Sequence, residues 1–518
     1  MVQGPGEYVS DTMDSHVGCG KFQYFYVAVL CLTYGLVPIH TYSNMFASTE
    51  PTWHLACPQP SNASKAGNSS ASCAPVPLVA PTNCSVPLSE WEVDTPGRSI
   101  VGDFKLECER HDKLPQLGSL YFLGYAIGVI VCGSISDVIG RRWAYFVGYI
   151  ILGVGGFLAP LAPSWTVYAA ARLMLGAGVA ACSLASYVWA MELLNTSSRA
   201  VMSWLPNVTF SFGQIMATPF GFAFPQWRSC LLGCQVASLV GMTYWWSTLE
   251  SPQWLASVGR MGDAHQVLCA MARRNGRKAA LPAPPADSPA AISDAETAAS
   301  PLAVAGSGGS ILALCDRRLR LRMTIMCFNW FSIALAFYGL SLFSPNLPFS
   351  LFTANILSAL VPVPFYILAP VLVDASWCGR KGAIAGSYFV GGGLLLYSTR
   401  CKEQWLSMTI FYAANGTLSL AFAVLYVWAA ELFPTDIRTR AMSIQSIFAR
   451  GGAILSPFVV DLGRSNTTLA LFLFAAPCLI SGVLDMLLPE TRGVPLAATL
   501  EDLEVVHTSG KPLKEPLL

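Results

Sequence analysis

Apolar blocks about as long as a bilayer is thick alternate with short polar turns from residue 22 to residue 488. A helix needs ~20 such residues to cross the hydrocarbon core. The pattern predicts twelve spans, near 22–42, 116–136, 143–163, 166–188, 201–221, 230–249, 322–342, 350–373, 381–399, 406–428, 441–461 and 468–488. Span 8 contains Pro362, Pro364 and Pro370. Bundled membrane helices tolerate such breakers because neighbouring groups satisfy the freed backbone. Two polar stretches interrupt the rhythm, 43–115 and 250–321. The expected organisation is an N-terminal segment 1–21, a six-helix bundle 22–249, a linker 250–321, a second six-helix bundle 322–488 and a tail 489–518.

The two bundles are related. Tyr187-Val-Trp-Ala-Met-Glu192-Leu193, running on to Arg199, recurs as Tyr426-Val-Trp-Ala-Ala-Glu431-Leu432, running on to Arg438, at an offset of 239 (431 − 192). The same offset carries Gly140-Arg141 onto Gly379-Arg380. Long-period repetition of this kind sets the fold. It predicts an all-α membrane protein of two pseudo-symmetric halves.

Composition narrows the picture. Hydrophobic residues are 53 % of the chain and charged residues 12 %, about half the share of a soluble domain. A net charge of +1 gives no footprint for nucleic acid. No Walker motif or dinucleotide-binding glycine pattern occurs, and the histidines are scattered without metal spacing. An enzyme, a metal site and an ATP-driven pump are therefore not expected, and no cofactor is implied.

Short loops orient the bundle. Arg141, Arg142, Arg199, Arg380, Lys381, Arg438 and Arg440 fall on one side, which the positive-inside rule makes cytoplasmic together with both termini. Arg228, Arg400, Lys402 and Arg464 are outnumbered exceptions. The loop 43–115 then lies outside. Its Cys57, Cys73, Cys84 and Cys108 read as two disulfides with three possible connectivities. Its Asn62, Asn68 and Asn83 begin glycosylation sequons. The sequons at Asn207, Asn415 and Asn466 lie in or against spans and are expected to stay bare. The linker opens with helical apolar spacing and continues from about 279 to 309 as a flexible Ala/Pro/Ser/Gly tether.

The chain resembles the organic ion transporters of solute carrier family 22, within the major facilitator superfamily. The resemblance is carried by Val17-Gly-Cys-Gly-Lys-Phe-Gln23, GSISDVIGRR, RLMLGAGVA with SYVWAMEL, Glu250-Ser-Pro-Gln-Trp-Leu, CFNWFSIALAFYGL, ELFPTDIRTRA and LPETRGVPL. These lie in order along essentially the whole chain. Sugar porters share several of them but not the Cys-rich first loop. The resemblance implies a plasma-membrane carrier working by alternating access, one bundle rocking on the other.

Asp137, Arg141, Glu192 and Arg199, with Arg380, Glu431 and Arg438, sit at cytoplasmic helix ends. The resemblance implies a gate that latches the halves together and parts as the protein opens inward; a static charge belt is the alternative. Two departures predict a weakened latch. Val138 stands where a basic residue is usual, and Ser376 where Asp or Asn is usual, with Asp374 two residues too early.

Charges at membrane depth are expensive and point to function. Arg450, midway along span 11, resembles the cavity arginine of anion and carnitine-type carriers, and no acid occurs between Asp436 and Asp461. Arg172 in span 4 has Phe411 as its repeat position (172 + 239), so it lies outside the symmetric set and reads as structural or coupling. Trp330, Phe331, Phe337, Tyr338, Phe365 and Tyr366 match family positions of an aromatic box, with Asn44, Asn207, Gln214 and Asn329 as lesser polar candidates. Span 8 contains no Lys or Arg, which suits a monoanion or zwitterion better than a dianion. The leading expectation is a secondary transporter or facilitator of small organic anions or zwitterions, driven by a gradient of substrate, counter-anion, Na⁺ or H⁺. The alternatives are an organic cation carrier and a surface receptor that kept the fold without transporting.

Overall fold

The computed structural model describes residues 5–49, 53–55, 91–93, 97–106, 110, 112–195, 198, 204–246, 248–277, 281–284, 317–344 and 350–493. Among the described residues the long helices group into twelve spans. Span 1 is Lys21–Tyr34 and Leu36–Ala47, span 2 Lys113–Ile139, span 3 Arg141–Leu161, span 4 Trp165–Leu193 and span 5 Leu205–Ala223. Span 6 is Trp227–Ser238, tightening into a 3₁₀ turn over Leu239–Trp246. Spans 7 to 12 are Arg317–Phe343, Leu351–Leu360 with Pro362–Asp374, Gly379–Ser398, Gln404–Leu432, Thr435–Ser465 and Thr467–Asp485. Among the described residues nine helices are long and apolar enough to cross a membrane; spans 5, 6 and 9 fall short on that measure.

Local chemistry explains the interruptions. Span 8 breaks at Val361, where Pro362 starts a new helix as its first residue. Span 1 breaks at Gly35, against span 5. A Cβ on Gly213 would come 1.8 Å from the Gly35 carbonyl, so both helices need glycine to approach this closely. Gly140 precedes span 3 and Gly379 opens span 9, with φ of +96° and +69°, the left-handed region that favours glycine.

Those two turns are mirrored in their partners. Glu250 accepts from the Arg142 backbone N–H at 3.2 Å, and Glu490 from those of Arg380 and Lys381 at 3.0 and 2.9 Å. A carboxylate thus caps the first turn of span 3 and of span 9, where the helix dipole favours negative charge. Burial raises the Glu250 carboxyl above its usual range, opposed by the backbone donors of Ser251 and Arg142. The N-terminal helix Pro5–Thr12 docks on the linker helix Met261–Arg274 through a 2.8 Å hydrogen bond between the Tyr8 hydroxyl and His265 Nδ1. A short antiparallel ribbon pairs Trp53–Leu55 with Trp91–Val93 in the first loop. The ends of the bundle are called here the loop end, carrying 43–115, and the linker end.

Candidate functional site

Arg450 sits in the interior of span 11, its guanidinium carbon 4.3 Å from the centre of the Tyr125 ring. Tyr125, Tyr338, Tyr426 and Tyr34 surround it electrostatically, and the Tyr338 oxygen accepts a side-chain hydrogen bond from it. Its Nε has no protein partner. It lines an enclosed chamber of about 70 Å³, whose other lining residues are aromatic, aliphatic or neutral polar. No carboxylate neutralises the guanidinium there. Ring geometry is supplied by Phe337 stacked on Phe422 at 4.8 Å and by Trp330 edge-on to Tyr426 at 4.5 Å. The indole N–H of Trp330 donates to Gln445 at 3.0 Å, which fixes the ring. Ligand pockets for drug-sized molecules run ~300–1,000 Å³, so the chamber must widen to admit an organic ion.

A larger cavity of about 460 Å³ lies at the loop end. Arg172, Asn44, Phe122, Asp461 and Arg464 are among its lining residues. Phe122 and Tyr338 pack ring on ring at 4.9 Å. Since the first lines the outer cavity and the second the chamber, this pair forms the partition between them.

The sequence-predicted residues divide accordingly. Arg450, Trp330, Phe337, Tyr338 and Asn207 line the chamber. Asn44 lies in the outer cavity and accepts from the Tyr168 hydroxyl at 2.8 Å. Gln214 is buried at the seam between halves, donating to Asn355 at 3.2 Å and Ser358 at 2.7 Å. Phe365 and Tyr366 do not join the chamber lining. Phe365 packs over Gly416 of span 10, and Tyr366 is buried with Ser419 as its polar partner. Tyr34, Tyr125, Phe210, Phe422 and Tyr426 line the chamber without having been singled out. A signal existed for one of them: Tyr426 is the repeat partner of Tyr187, which packs 6.4 Å from Tyr34.

Arg172 is fully buried. Its Nη1 donates to the His40 carbonyl at 3.0 Å and its guanidinium lies 4.6 Å over the Tyr121 ring. The contact ties span 4 to span 1.

At the linker end the charges form two parallel clusters. Arg141 clasps Glu192 at 2.9 Å and Asp137 at 2.7 Å. Arg380 clasps Glu431 at 3.0 Å and Asp374 at 3.3 Å. Each cluster joins neighbouring spans of one half, so in this arrangement these pairs do not bridge the halves as a latch would. The expectation for Ser376 also needs correction. Residues 375–378 form a tight turn after span 8, which brings Asp374 back to Arg380 despite its early position. Val138 is 59 % exposed, outside the Asp137–Arg141–Glu192 contact. Arg438 donates to the Phe433 carbonyl at 3.3 Å. Arg199, the cysteines Cys57, Cys73, Cys84 and Cys108, and the sequons at Asn62, Asn68 and Asn83 lie outside the described residues.

Comparison with known proteins agrees with this architecture. The family described as "Sugar (and other) transporter" matches residues 111–503. The chain is 30 % identical to human organic cation/carnitine transporter 2 over 80 % of its own length and 74 % of that protein's. It is 28 % identical to human organic anion transporter 3, covering 98 % and 96 %. A Xenopus tropicalis protein named solute carrier family 22 member 15-like is 31 % identical over 78 % and 82 %. Among solved structures, the inward-open xylose transporter of E. coli superposes with a TM-score of 0.60 at 16 % identity, over 93 % of this chain and 98 % of that one.

Proposed function

The chain belongs to solute carrier family 22 of the major facilitator superfamily, a family of multi-pass membrane transporters, and on that premise we propose that it carries small organic anions or zwitterions. The observation that supports this is Arg450: a guanidinium in an aromatic chamber, Nε unpartnered, with no carboxylate lining the space. A planar guanidinium offers bidentate hydrogen bonds to a carboxylate or sulfate. Burial does not readily neutralise it, and it repels a cation that lacks its own negative group. Tyrosine rings on several sides would hold the flat body of such a substrate and leave its charged group for Arg450.

Transport follows from the partition. A substrate in the outer cavity reaches the chamber when Phe122 and Tyr338 separate. Rocking of the two halves about the chamber then exposes it to the other side. No nucleotide chemistry is required, because a gradient suffices.

Cells expressing the protein are expected to accumulate an aromatic monocarboxylate or sulfate ester and to ignore tetraalkylammonium ions. Robust tetraalkylammonium uptake with no anion uptake would overturn the reading. The plasma membrane is the proposed location, with the linker and both termini inside. The Asn62→Gln, Asn68→Gln, Asn83→Gln variant should run lower and sharper on a gel than its parent. Unchanged mobility would remove the support for loop 43–115 being outside and glycosylated.

A further inference from the structure

Spans 7 and 12 bury a polar cluster that the substrate path does not use. Asn329 and Ser332 stand one turn apart on span 7, and Ser481 and Asp485 one turn apart on span 12. All four side chains are fully buried. The Asn329 amide donates to Asp485 Oδ1 at 2.6 Å. One turn further on, the Cys478 thiol approaches the Ser332 carbonyl at 3.9 Å. These two contacts fix the antiparallel register and place Ser481 on the contacting face between them. Four oxygens in this stretch have no protein hydrogen-bond partner: Asn329 Oδ1, Ser332 Oγ, Ser481 Oγ and Asp485 Oδ2.

Buried polar atoms in native proteins are nearly always satisfied, so a run of exceptions on one interface calls for an explanation, a bound ion or water among them. The carboxylate narrows the choice, since a buried charge costs several kcal/mol unless a counter-cation or a proton offsets it. Among the described residues none forms an ion pair with Asp485. Lys381 of span 9 is the nearest cationic influence, but its ammonium donates to the Met486 carbonyl at 2.7 Å. The Tyr388 hydroxyl of span 9 is directed to the Asn329 carbonyl at 3.3 Å. Cys478 and Tyr388 are the other titratable groups packed against the cluster, and neither offers a positive charge.

We propose that Asn329, Ser332, Ser481 and Asp485 form a binding site for a monovalent hard cation, Na⁺ in the first instance. One carboxylate, one amide carbonyl and two hydroxyls are hard oxygen donors, and their single negative charge is balanced by a single positive one. A divalent ion would leave excess charge in the bundle, and its protein sites are usually richer in carboxylates. A water molecule can satisfy the hydroxyls but cannot offset the charge. The cation also cross-links spans 7 and 12, so its occupancy stabilises the half that carries Arg450. Its use in driving transport rests on the transporter reading; the binding itself does not.

The test needs no substrate. Full-length protein purified in detergent is heated at fixed pH while NaCl replaces N-methylglucamine chloride at constant ionic strength. A ligand that binds only the folded state raises the unfolding midpoint with concentration. The midpoint is expected to rise saturably with Na⁺, and ²²Na⁺ is expected to bind at a comparable concentration. Asp485→Asn should abolish both signals. Ser481→Ala, a milder change that keeps the charge, should move half-saturation at least about tenfold, as loss of one ligand worth ~1.4 kcal/mol would. No response to Na⁺ in the wild type, or an undiminished response in Asp485→Asn, overturns the site. A midpoint that follows pH but not Na⁺, and loses that dependence in Asp485→Asn, assigns a proton instead and also overturns it. Failure of anion uptake would leave these measurements untouched, so the two readings fall separately.

Discussion

Arg172 and Arg450 are both arginines at membrane depth with no acidic partner among the described residues, yet they are built for different ends. Arg172 is fully buried and attached to the backbone of another span, at His40. Arg450 is half-buried, stacked on one tyrosine and ringed by others, and each arginine leaves its Nε without a protein partner. A charge in a low-dielectric bundle can be held by helix packing or kept ready for a ligand, and the difference shows in what its nitrogens touch. Where a backbone carbonyl takes the hydrogen bond, the residue fastens helices. Arg172 also lies over a tyrosine ring and lines the outer cavity, so the contrast rests on its full burial and its backbone bond to span 1.

The largest effect should come from reversing the second charge. Arg450→Asp is expected to abolish anion uptake with surface expression largely kept, read by uptake and surface biotinylation in the same cells. Arg450→Lys keeps the charge and loses the planar fork, so uptake should fall about ten- to a hundred-fold, the value of one to two charge-assisted bonds. Normal anion uptake by Arg450→Ala would reassign the residue to packing. Arg172→Ala should show the opposite balance: a several-fold loss of folded surface protein from the lost bond between spans 4 and 1 and an emptied buried site, costing ~1–3 kcal/mol. Uptake per surviving molecule should change far less. If instead expression stays normal and uptake vanishes, the contrast between the arginines collapses.

A middle-sized effect is expected at the partition between their cavities. Phe122→Ala removes one of the two rings that pack at 4.9 Å. A cysteine placed at Ser446, on the chamber wall, should then react several-fold faster with an impermeant thiol reagent added outside than it does with Phe122 intact. An unchanged rate means that the chamber is sealed elsewhere. The smallest effects belong to the linker-end clusters. Asp137→Ala and Asp374→Ala each remove an exposed ion-pair partner, 65 % and 78 % exposed, and should cost under about 1 kcal/mol in thermal unfolding. Because Asp374 already serves Arg380, Ser376→Asp should add almost nothing. A clear gain from it would revive the idea of a defective second cluster.

The fold was legible because both of its signals are long-range and redundant. Twelve apolar blocks and a 239-residue repeat do not depend on any one side chain. The site was legible only in part. Arg450, Trp330, Phe337 and Tyr338 stood out through charge and motif, whereas Tyr34 and Tyr125 resemble any packing aromatic until the rotation of each helix is known. Phe365 and Tyr366 illustrate the converse, since their helix turns them toward span 10. Asp374 was misjudged because sequence offset assumes the same turn in both halves, and this turn is more compact. Asp485 escaped notice because it ends span 12, where an acid reads as an ordinary boundary charge; only its burial and its bond to Asn329 give it weight.

The seam between spans 5 and 8 also sets a tempo. Gln214 and Asn355 exchange hydrogen bonds with each other, with Ser358 at 2.7 Å and with Thr218 at 2.9 Å, all within the buried interface of the two halves. In a membrane such bonds average ~0.6 kcal/mol apiece, because a freed group can find another partner. Four together are worth roughly 2 kcal/mol, or about thirty-fold in the population of one arrangement over another. Parting the halves along this line means unfastening them in concert. The amides at 214 and 355 therefore act as a clock spring: shortening either side chain should let the carrier turn over faster while holding any one posture less firmly.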